Sequence, residues 1–531
     1  MKNVKIKAIG TILALLFAAL YYYITLPAIN IHASGFWFFI MIVIVFVAAL
    51  YIFRKRFGVF EIKQSKVVKV LGGLLIVVLA VYLIGSLLSS PIINAKKYQK
   101  LLTVEKGEFT KDIEELSYDQ IPLLDKDSAT LLGNRKMGSM IDMASQFEVD
   151  NIYSQINYKD KPVRVSPLRY ANAIKWLTNR EEGIPAYITI DMATQTTELV
   201  KLEEGIKYST SEYFNRNIYR HLRFNYPTYI FNELSFEIDE EGVPYWVCPV
   251  KKFNIGLFGG ETVGRVVLCN AITGETIDYA IKDVPSWIDR AYSADLLIEL
   301  FDYYGTLKHG FINSVLGQKD CLVTTDGYNY LAIDDDVWVY TGVTSVSSDE
   351  SNVGFVLMNQ RTMETKFYEI AGAEEYSAMD SAEGQVQNLA YEATFPLLLN
   401  IGGEPTYFIC LKDDAGLVKK YAMVNVQKYQ VVGIGDTVSE CEEEYQKLLL
   451  KEGLQIIEDT RESGSITGKI TKIAQGVVNG NSHYFIMVEG SEAIFDISVV
   501  EFIDIIKYEV GQEISLEYKI GEKTNVVTDM K

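Results

Sequence analysis

Histidine and cysteine, the side chains that most often bind metals or act as nucleophiles, are scarce in this chain of 531 residues. The sequence has four histidines and five cysteines. No two histidines lie at metal-ligand spacing on one predicted element, and the cysteines form no C-x-x-C pair, which argues against a zinc site and a dense disulfide framework. Neither a Gly-x-Ser-x-Gly elbow nor a phosphate-binding loop is present. The sequence therefore predicts no catalytic, cofactor-binding or metal-binding residue.

Three groups of side chains resemble functional sites, and each also has a structural interpretation. His309 and Cys321 suggest a thiol protease, although a turn histidine and a buried cysteine explain them more simply. The acids at 334–336 and 349–350 suggest a calcium site but lack the spacing of a calcium loop. Tyrosine suits recognition surfaces and is also common in sheets. The tyrosines in question are Tyr303, Tyr304, Tyr328, Tyr330 and Tyr340.

Acidic charge dominates the chain except at its N-terminus. Residues 1–95 contain nine lysines and arginines and one acid, a balance of +8. The remaining residues contain 41 basic and 68 acidic groups, a balance of −27. Because a strongly acidic body repels phosphate groups, nucleic-acid binding is not expected.

The basic N-terminal region also contains three uncharged apolar stretches, at residues 8–27, 35–53 and 70–88. A helix of about twenty residues crosses a hydrocarbon core of ~30 Å. The sequence therefore predicts three transmembrane helices, in an anchor that comprises residues 1–90.

Basic residues flank these stretches unevenly. Lysines precede the first stretch and six basic residues separate the second from the third, whereas the loop at 30–34 has no charge. Because basic loops stay in the cytoplasm, we expect a cytoplasmic N-terminus and an extracytoplasmic region after about residue 90. The few cysteines there favour a bacterial cell envelope over an animal secretory route.

One sequence pattern occurs more than once beyond the anchor. VVLCNAITGETIDYAI at 266–281 and FVLMNQRTMETKFYEI at 355–370 share half of their sixteen positions, and a weaker copy lies at 186–202. A helical pattern precedes each strand region. We therefore predict a helix followed by an antiparallel meander, four times, as two α+β pairs at 136–283 and 284–435. The predicted helices lie at 166–177, 209–223, 286–305 and 373–393.

The repeated asparagines, Asn270 and Asn359, follow apolar strands and precede a threonine. Asparagine bonds to the backbone two residues further on and tolerates left-handed conformations, so a turn is the predicted role. Glu275 and Glu364 then begin the outgoing strands and are predicted to be solvated. Cys248, Cys269 and Cys410 lie in apolar strand patterns, and the five cysteines are predicted to be free thiols, with one disulfide pair as the alternative.

A helix followed by strands that end in an apolar run plus Asp/Asn-x-x-Thr-Gly-Glu resembles the PepSY domain of bacterial envelope proteins and peptidase propeptides. The resemblance covers about 236–281 and is fainter at 166–202 and 355–370. Asn270 replaces the usual aspartate, and Met363 stands where the first copy has Gly274. The resemblance implies a binding or inhibitory module outside the membrane rather than catalysis.

Three further segments complete the predicted organisation. Residues 91–135 are polar with scattered leucines and are predicted to form a stalk. Residues 436–464 are predicted to form a helical linker. Five short strand patterns at 465–531 are similar to a small OB-like barrel. Since that tail has six lysines and ten acids, an adaptor role is expected rather than oligonucleotide binding.

The predicted fold is therefore a membrane-anchored α+β protein with three N-terminal transmembrane helices, repeated helix-plus-meander modules and a C-terminal β-barrel. The expected function is non-enzymatic binding of another protein in a surface, secretion or conjugation assembly, with the lipid bilayer as a second partner and self-association as a further expectation. Two alternatives are an envelope hydrolase with an unrecognised site and an accessory subunit of a transporter. The transporter is less favoured because the three stretches contain no acid or arginine.

Overall fold

The computed structural model has a mixed α+β fold and ends in a small closed β-barrel. It divides into two compact units: Met1–Ile401 with Pro405–Tyr445, and Gly402–Glu404 with Gln446–Lys531. The residues that the structure describes are 2–55, 65–116, 120–346, 351–454, 463–478, 481–491, 493–499, 502–519 and 524–531.

Three helices form the N-terminal region: α1 (Lys2–Thr25), α2 (Ser34–Lys55) and α3 (Lys66–Ser89). Two segments, Ser34–Arg54 and Lys66–Ser89, are long and apolar enough to cross a membrane. In α1 the corresponding apolar part is the shorter Thr11–Thr25. The structure thus supports two spans, and the third span and the orientation stay predictions. The basic residues at 56–64 lie outside the described residues.

The segment predicted to be a stalk packs on the sheets instead. It contains α4 (Pro91–Tyr98), β1 (Glu105–Lys106), α5 (Phe109–Asp112) and the beginning of α6 (Lys126–Gly138). β1 pairs in parallel with residues 366–367, and Leu102, Ile113 and Ile121 are buried. These buried residues follow no helical or strand period because each is buried through tertiary contacts.

The first sheet has the order β2-β4-β5-β6, with β3 also paired to β4. Ser166 and Pro167, predicted to begin a helix, lie instead inside the central strand β4, and the nearby helix α8 begins after Asn172. Val163 and Val165 are buried and β4 pairs with strands on both sides, so burial overrides the local helix-start pattern. The elements are α7 (Ile141–Ala144), β2 (Phe147–Val149), β3 (Ser154–Asn157), β4 (Pro162–Tyr170), α8 (Ala173–Asn179), β5 (Ile184–Asp191) and β6 (Thr197–Ile206).

The second sheet is a meander of four consecutive strands, β7-β8-β9-β10. The helix predicted from residue 209 begins only at Ile218, where Asn217 caps it by accepting a hydrogen bond from the Arg220 backbone N–H. A short 3₁₀ segment, Phe214–Arg216, precedes the cap. Asparagine is a preferred residue at the N-cap position, so the α-helix begins after Asn217. The elements are α9 (Ile218–Asn225), β7 (Ser235–Ile238), β8 (Pro244–Ile255), β9 (Gly259–Asn270) and β10 (Thr276–Ala280).

The third sheet follows a helix that begins later than predicted. Ser293 caps α10, so 286–292 are not α-helical. β13, β14 and β15 are consecutive neighbours, and β11, β12, β16 and β1 complete the sheet. The elements are α10 (Ala294–Thr306), a π-helical turn (Asn313–Gly317), β11 (Leu322–Thr324), β12 (Asn329–Ile333), β13 (Asp336–Ser345), β14 (Ser351–Asn359), β15 (Thr365–Tyr368) and β16 (Gly372–Ala373).

The fourth sheet has the order β17-β19-β20-β21, with β18 paired to β19. Its helix, predicted over 373–393, ends at Gln385. The part of the predicted linker at 455–462 lies outside the described residues. The elements are α11 (Glu375–Gln385), β17 (Glu392–Ala393), β18 (Leu397–Ile401), β19 (Glu404–Lys412), β20 (Val418–Asn425), β21 (Val432–Gly435) and α12 (Val438–Lys451).

The turn predicted at Asn270 and Asn359 is confirmed. Asn270 Oδ1 accepts the backbone N–H groups of Ile272 and Thr273, each at 2.9 Å. Asn359 Oδ1 accepts the two equivalent groups at 2.8 Å each. Asp191 and Asn425 make the same pair of bonds at the ends of β5 and β20. The four turns therefore have the same pair of hydrogen bonds. The four-fold repeat of a helix and a meander stays a prediction.

The second unit contains a closed five-stranded barrel, as the strand patterns predict. The strands follow the order β22-β23-β24-β26-β25, with β25 returning to β22. Ile486, Phe495 and Ile514 are among its buried core residues. The strands are β22 (Ser463–Val478), β23 (Asn481–Val488), β24 (Phe495–Ser498), β25 (Glu513–Lys519) and β26 (Asn525–Met530).

Candidate functional sites

His309 and Cys321 do not form a catalytic pair. His309 Nε2 lies 3.0 Å from Asp320 Oδ2, whereas Cys321 Sγ donates to the Thr306 carbonyl oxygen at 3.3 Å. Burial raises the pKa of the Cys321 thiol, and nucleophilic cysteines need the opposite shift. All five cysteines are free and buried.

The acidic cluster at 334–336 is used in a structural ion pair. Arg361 donates to both carboxylate oxygens of Asp336, at 2.5 and 2.7 Å, and Asn359 Nδ2 donates to the same group at 2.8 Å. The acids at 349–350 lie outside the described residues. Within the ranges that the structure describes, no group of three histidine, cysteine or acidic side chains could hold a metal ion.

The remaining predicted residues have different environments. His221 Nε2 lies 2.7 Å from the Gly274 carbonyl oxygen, and His483 Nδ1 lies 2.6 Å from Asp496 Oδ1. Tyr340 belongs to the buried core. Tyr303 donates to Glu299 and Tyr304 packs beside Phe301, whereas Tyr328 and Tyr330 line a cavity.

The tip of the β8–β9 hairpin contacts the end of α3. Ser89, the last residue of α3, accepts hydrogen bonds through Oγ from the backbone N–H groups of Leu257 and Phe258, at 2.9 and 3.1 Å. Its carbonyl oxygen accepts a hydrogen bond from Tyr98 Oη at 2.7 Å. A Cβ at Gly259 would lie inside van der Waals contact of both Ser89 and Tyr98, so this approach requires glycine.

The connection between α1 and α2 contacts the same side of the body. Arg223 Nε donates to the Leu26 carbonyl oxygen at 2.9 Å, and the guanidinium also bonds to the Tyr229 carbonyl oxygen at 2.6 Å. His32 Nδ1 lies 2.7 Å from the Leu257 carbonyl oxygen. The C-terminal ends of α1 and α3 and the beginning of α2 therefore meet the body together. We call this region the collar; it comprises residues 26–34, Ser89, Arg223 and residues 254–260.

Aromatic rings surround the collar. Phe258 lies between Tyr82 and Trp37, with ring centroids 5.2 and 6.4 Å away. On the other side, Phe224 contacts the rings of Tyr22 and Tyr23 at 6.3 and 6.1 Å. Such aromatic belts are typical of the boundary between lipid and water.

Two carboxyl groups, Glu237 and Asp289, are fully buried next to each other in the body. Glu237 accepts three hydrogen bonds, from Ser235 Oγ at 2.8 Å and from the backbone N–H groups of Asp289 and Arg290 at 3.0 and 3.2 Å. Asp289 accepts one, from the Asn157 backbone N–H at 2.8 Å. Burial raises the pKa of both groups, and the charge of Glu237 raises that of Asp289 further. Because Glu237 accepts more hydrogen bonds, Asp289 is the more readily protonated of the two.

A cavity of about 420 Å³ lies between the first, third and fourth sheets. Its innermost walls are buried side chains, and its mouth is formed by exposed ones. The buried walls include Tyr153, Gln155, Arg164, Gln360, Leu397 and Phe408. The mouth includes Lys126, Glu233, Asp295 and Tyr328.

Several hydrogen-bond donors are enclosed in the inner wall of this cavity. Arg164 on β4 is only 6% exposed, and its side chain donates a hydrogen bond from Nη2 to Gln155 Oε1 at 3.3 Å. Among the described residues no partner is found for the Nε atoms of Arg164 and Arg290, for Gln155 Nε2 or for Tyr153 Oη. Gln360 Oε1, a hydrogen-bond acceptor, also has no partner among the described residues.

The two guanidinium groups form no direct ion pair among the described residues. The carboxylates that attract them include Asp125 for Arg164 and Glu237 for Arg290. Asp125 at the wall is occupied by Lys412, 2.6 Å away. Burial lowers the pKa of Arg164 to about 10, and repulsion from Arg290 acts in the same direction.

The sequence contains one signal that points to this cavity. Arg164 stands between Val163 and Val165 in a strand that is buried on both faces. Arginine is almost never fully buried without a partner, so a basic residue in such an apolar run is a candidate functional-site residue. Arg290, which lies in an irregular loop, carries no comparable signal.

No protein-family model matches the chain, and no curated protein is significantly similar to it. The resemblance to PepSY domains therefore rests on the quoted residues alone.

Proposed function

We propose that this protein is a membrane-anchored envelope protein without enzymatic activity, whose body binds another protein outside the membrane. The collar carries the proposal. Helix ends that face lipid are held to the acidic body by hydrogen bonds to Ser89, Leu26 and Leu257. A body fixed in this way sits at the bilayer surface instead of moving on a linker.

The collar also supports a third span and an orientation. α1 has 24 residues, enough for ~36 Å at ~1.5 Å per residue. Its C-terminal end lies at the collar with the beginning of α2 and the C-terminal end of α3. α1 and α2 are neighbours, with the rings of Phe17 and Phe46 stacked at 3.6 Å. The uncharged loop at 30–34 is then on the same side as the body, which is extracytoplasmic by the positive-inside rule.

Cysteine labelling in intact cells tests this orientation. The exposed Glu275 on the body and the exposed Lys66 at the opposite end of α3 are each replaced by cysteine. We expect a membrane-impermeant maleimide to label E275C in intact cells and K66C only after permeabilisation. The unmodified chain is the control, and it should react little because its five cysteines are buried. Labelling of K66C alone in intact cells would reverse the orientation.

An apolar patch on the body supports protein binding. Ile174 and Phe214 are 71% and 63% exposed. Phe214 and Tyr213 both contact the ring of Trp176, and Arg180 lies over that ring. Tryptophan, tyrosine and arginine are the residues that contribute most to protein interfaces.

Photo-crosslinking from the patch tests for the partner. A benzophenone amino acid placed at Phe214 in the full-length protein should give a discrete crosslinked protein band in cells. Ile174→Glu should abolish that band because it places a charge in the contact, whereas Glu275→Gln, on an exposed turn, should leave it unchanged. Crosslinking to lipid alone, or a band that persists in I174E, would contradict the proposal.

The barrel is proposed to be an OB-like adaptor. Its strand order, the parallel pairing of β24 with β26 and the short helical turn Ile503–Lys507 between β24 and β25 support this assignment. The exposed aliphatic side chains of α3, such as Ile76 and Val70, support self-association of the anchor as a further expectation.

A further inference from the structure

We propose that the cavity bounded by Arg164 and Arg290 binds a carboxylate group carried on an apolar or aromatic body. This site is independent of the anchor and of the proposed protein-binding patch. The proposal follows from the basic side chains that line the cavity, the burial of Arg164 and the nature of the remaining wall.

The basic side chains Arg164 and Arg290 line the cavity, and their guanidinium groups are suited to an anion. Gln155 Nε2 and Tyr153 Oη lie enclosed in the wall, where no hydrogen-bond partner is found for them among the described residues. Three of these side chains, Tyr153, Gln155 and Arg164, are more than nine-tenths buried. A planar guanidinium binds a carboxylate or a phosphate through paired hydrogen bonds.

The cross-strand geometry holds Arg164 in place. Gln155 on β3 lies directly opposite Arg164 on β4, and Gln155 Oε1 accepts the Arg164 Nη2 hydrogen bond. Asp125, a wall carboxylate that attracts Arg164, is held by Lys412 and by the Ser128 backbone N–H at 2.8 Å. Arg164 is therefore positioned by a neutral side chain, which leaves its charge for a ligand.

The rest of the wall favours a carboxylate with an apolar body over inorganic phosphate. Tyr330, Phe395 and Phe408 line the cavity, together with Leu397. The volume of about 420 Å³ exceeds what a single anion needs and suits a small ring or a few atoms of chain. The acids Glu233 and Asp295 lie at the mouth and disfavour a second negative charge there.

Binding to the full-length protein in nanodiscs tests this site. The probes are N-acetyl-alanyl-phenylalanine, which imitates a chain terminus, 3-phenylpropionate, which imitates a free organic acid, and inorganic phosphate. We expect saturable calorimetric binding of at least one carboxylate probe. The C-terminal amide of the peptide and 3-phenylpropionamide should bind at least about tenfold more weakly, because they lack the charge. Binding of both acids would assign recognition to the carboxylate and ring, and binding of the peptide alone would assign it to a chain terminus.

Variants separate a ligand site from a structural role. Arg164→Gln and Arg290→Gln should each weaken carboxylate binding by about tenfold or more. Arg169→Gln is the matched control, since Arg169 lies on the same strand but pairs with Glu148 at the surface. Arg164→Met should leave the thermal midpoint of the ligand-free protein unchanged or raised, because a buried charge is removed. No binding of either acid, equal binding of the neutral amides, or phosphate binding as tight as that of the acids would overturn the proposal.

Discussion

Replacing Asp289 by asparagine should flatten the decrease in stability of this protein as the pH rises above the ordinary titration range of aspartate. Asp289 is buried and its pKa in the folded protein lies well above the ordinary value. Between the unfolded and folded pKa values the folded state holds more protons than the unfolded chain, so the free energy of unfolding falls as pH rises. One such proton contributes up to about 1.4 kcal/mol per pH unit. Asp289→Asn cannot ionise and removes that contribution.

The matched substitution at Glu237 should have the opposite result. Glu237 accepts hydrogen bonds from Ser235, from the Asp289 backbone and from the Arg290 backbone. Glu237→Gln turns one acceptor oxygen into a donor, and a buried N–H left unpaired costs about 1–3 kcal/mol. We therefore expect Asp289→Asn to be tolerated at pH 7 and Glu237→Gln to be destabilising. Chemical unfolding in detergent micelles at several pH values measures both, and equal costs for the two variants would contradict the assignment of the proton to Asp289.

Local chemistry predicted the turns and the barrel, because each depends on residues that are close in the sequence. Asn270 bonds to backbone groups two and three residues further on, so its role can be inferred from its neighbours. The barrel strands alternate in hydrophobicity between Asn-Gly and Gly turns. Ser166 and Pro167 show the limit of such patterns, since the pairing of β4 with β3 and β5 overrides a good helix start.

The cavity and the collar could not be predicted in the same way because distant segments form them. The donors of the cavity come from β3, β4 and the loop before α10, more than 120 residues away along the chain. In the collar, Ser89 contacts residues 168 and 169 positions further on. Two of the five named tyrosines, Tyr328 and Tyr330, line the cavity, and the recognition role of tyrosine stays a prediction.

Replacing Gly259 by alanine should detach the β8–β9 hairpin from α3 and loosen the body from the anchor. The added Cβ would overlap the Ser89 carbonyl oxygen and the Tyr98 hydroxyl group. Because one of these atoms belongs to the backbone, rotation of a side chain cannot relieve the overlap. Such overpacking typically costs about 1–3 kcal/mol. Hydrogen exchange in nanodiscs should show faster exchange of the Leu257 and Phe258 amides, which donate to Ser89 Oγ.

Two further variants distinguish the loss of this contact from a general loss of stability. Ser89→Ala removes the Oγ acceptor without overlap and should accelerate exchange of the same two amides. Gly264→Ala lies on the same strand as Gly259, but its Cβ would approach only the Lys252 side chain, with the Lys252 Cβ at 3.2 Å, so a shift of a few tenths of an ångström relieves the contact. It should leave these amides protected. If G259A and G264A behave alike, the hairpin does not hold the body to the anchor, and the proposed position of the body at the bilayer surface loses its physical basis.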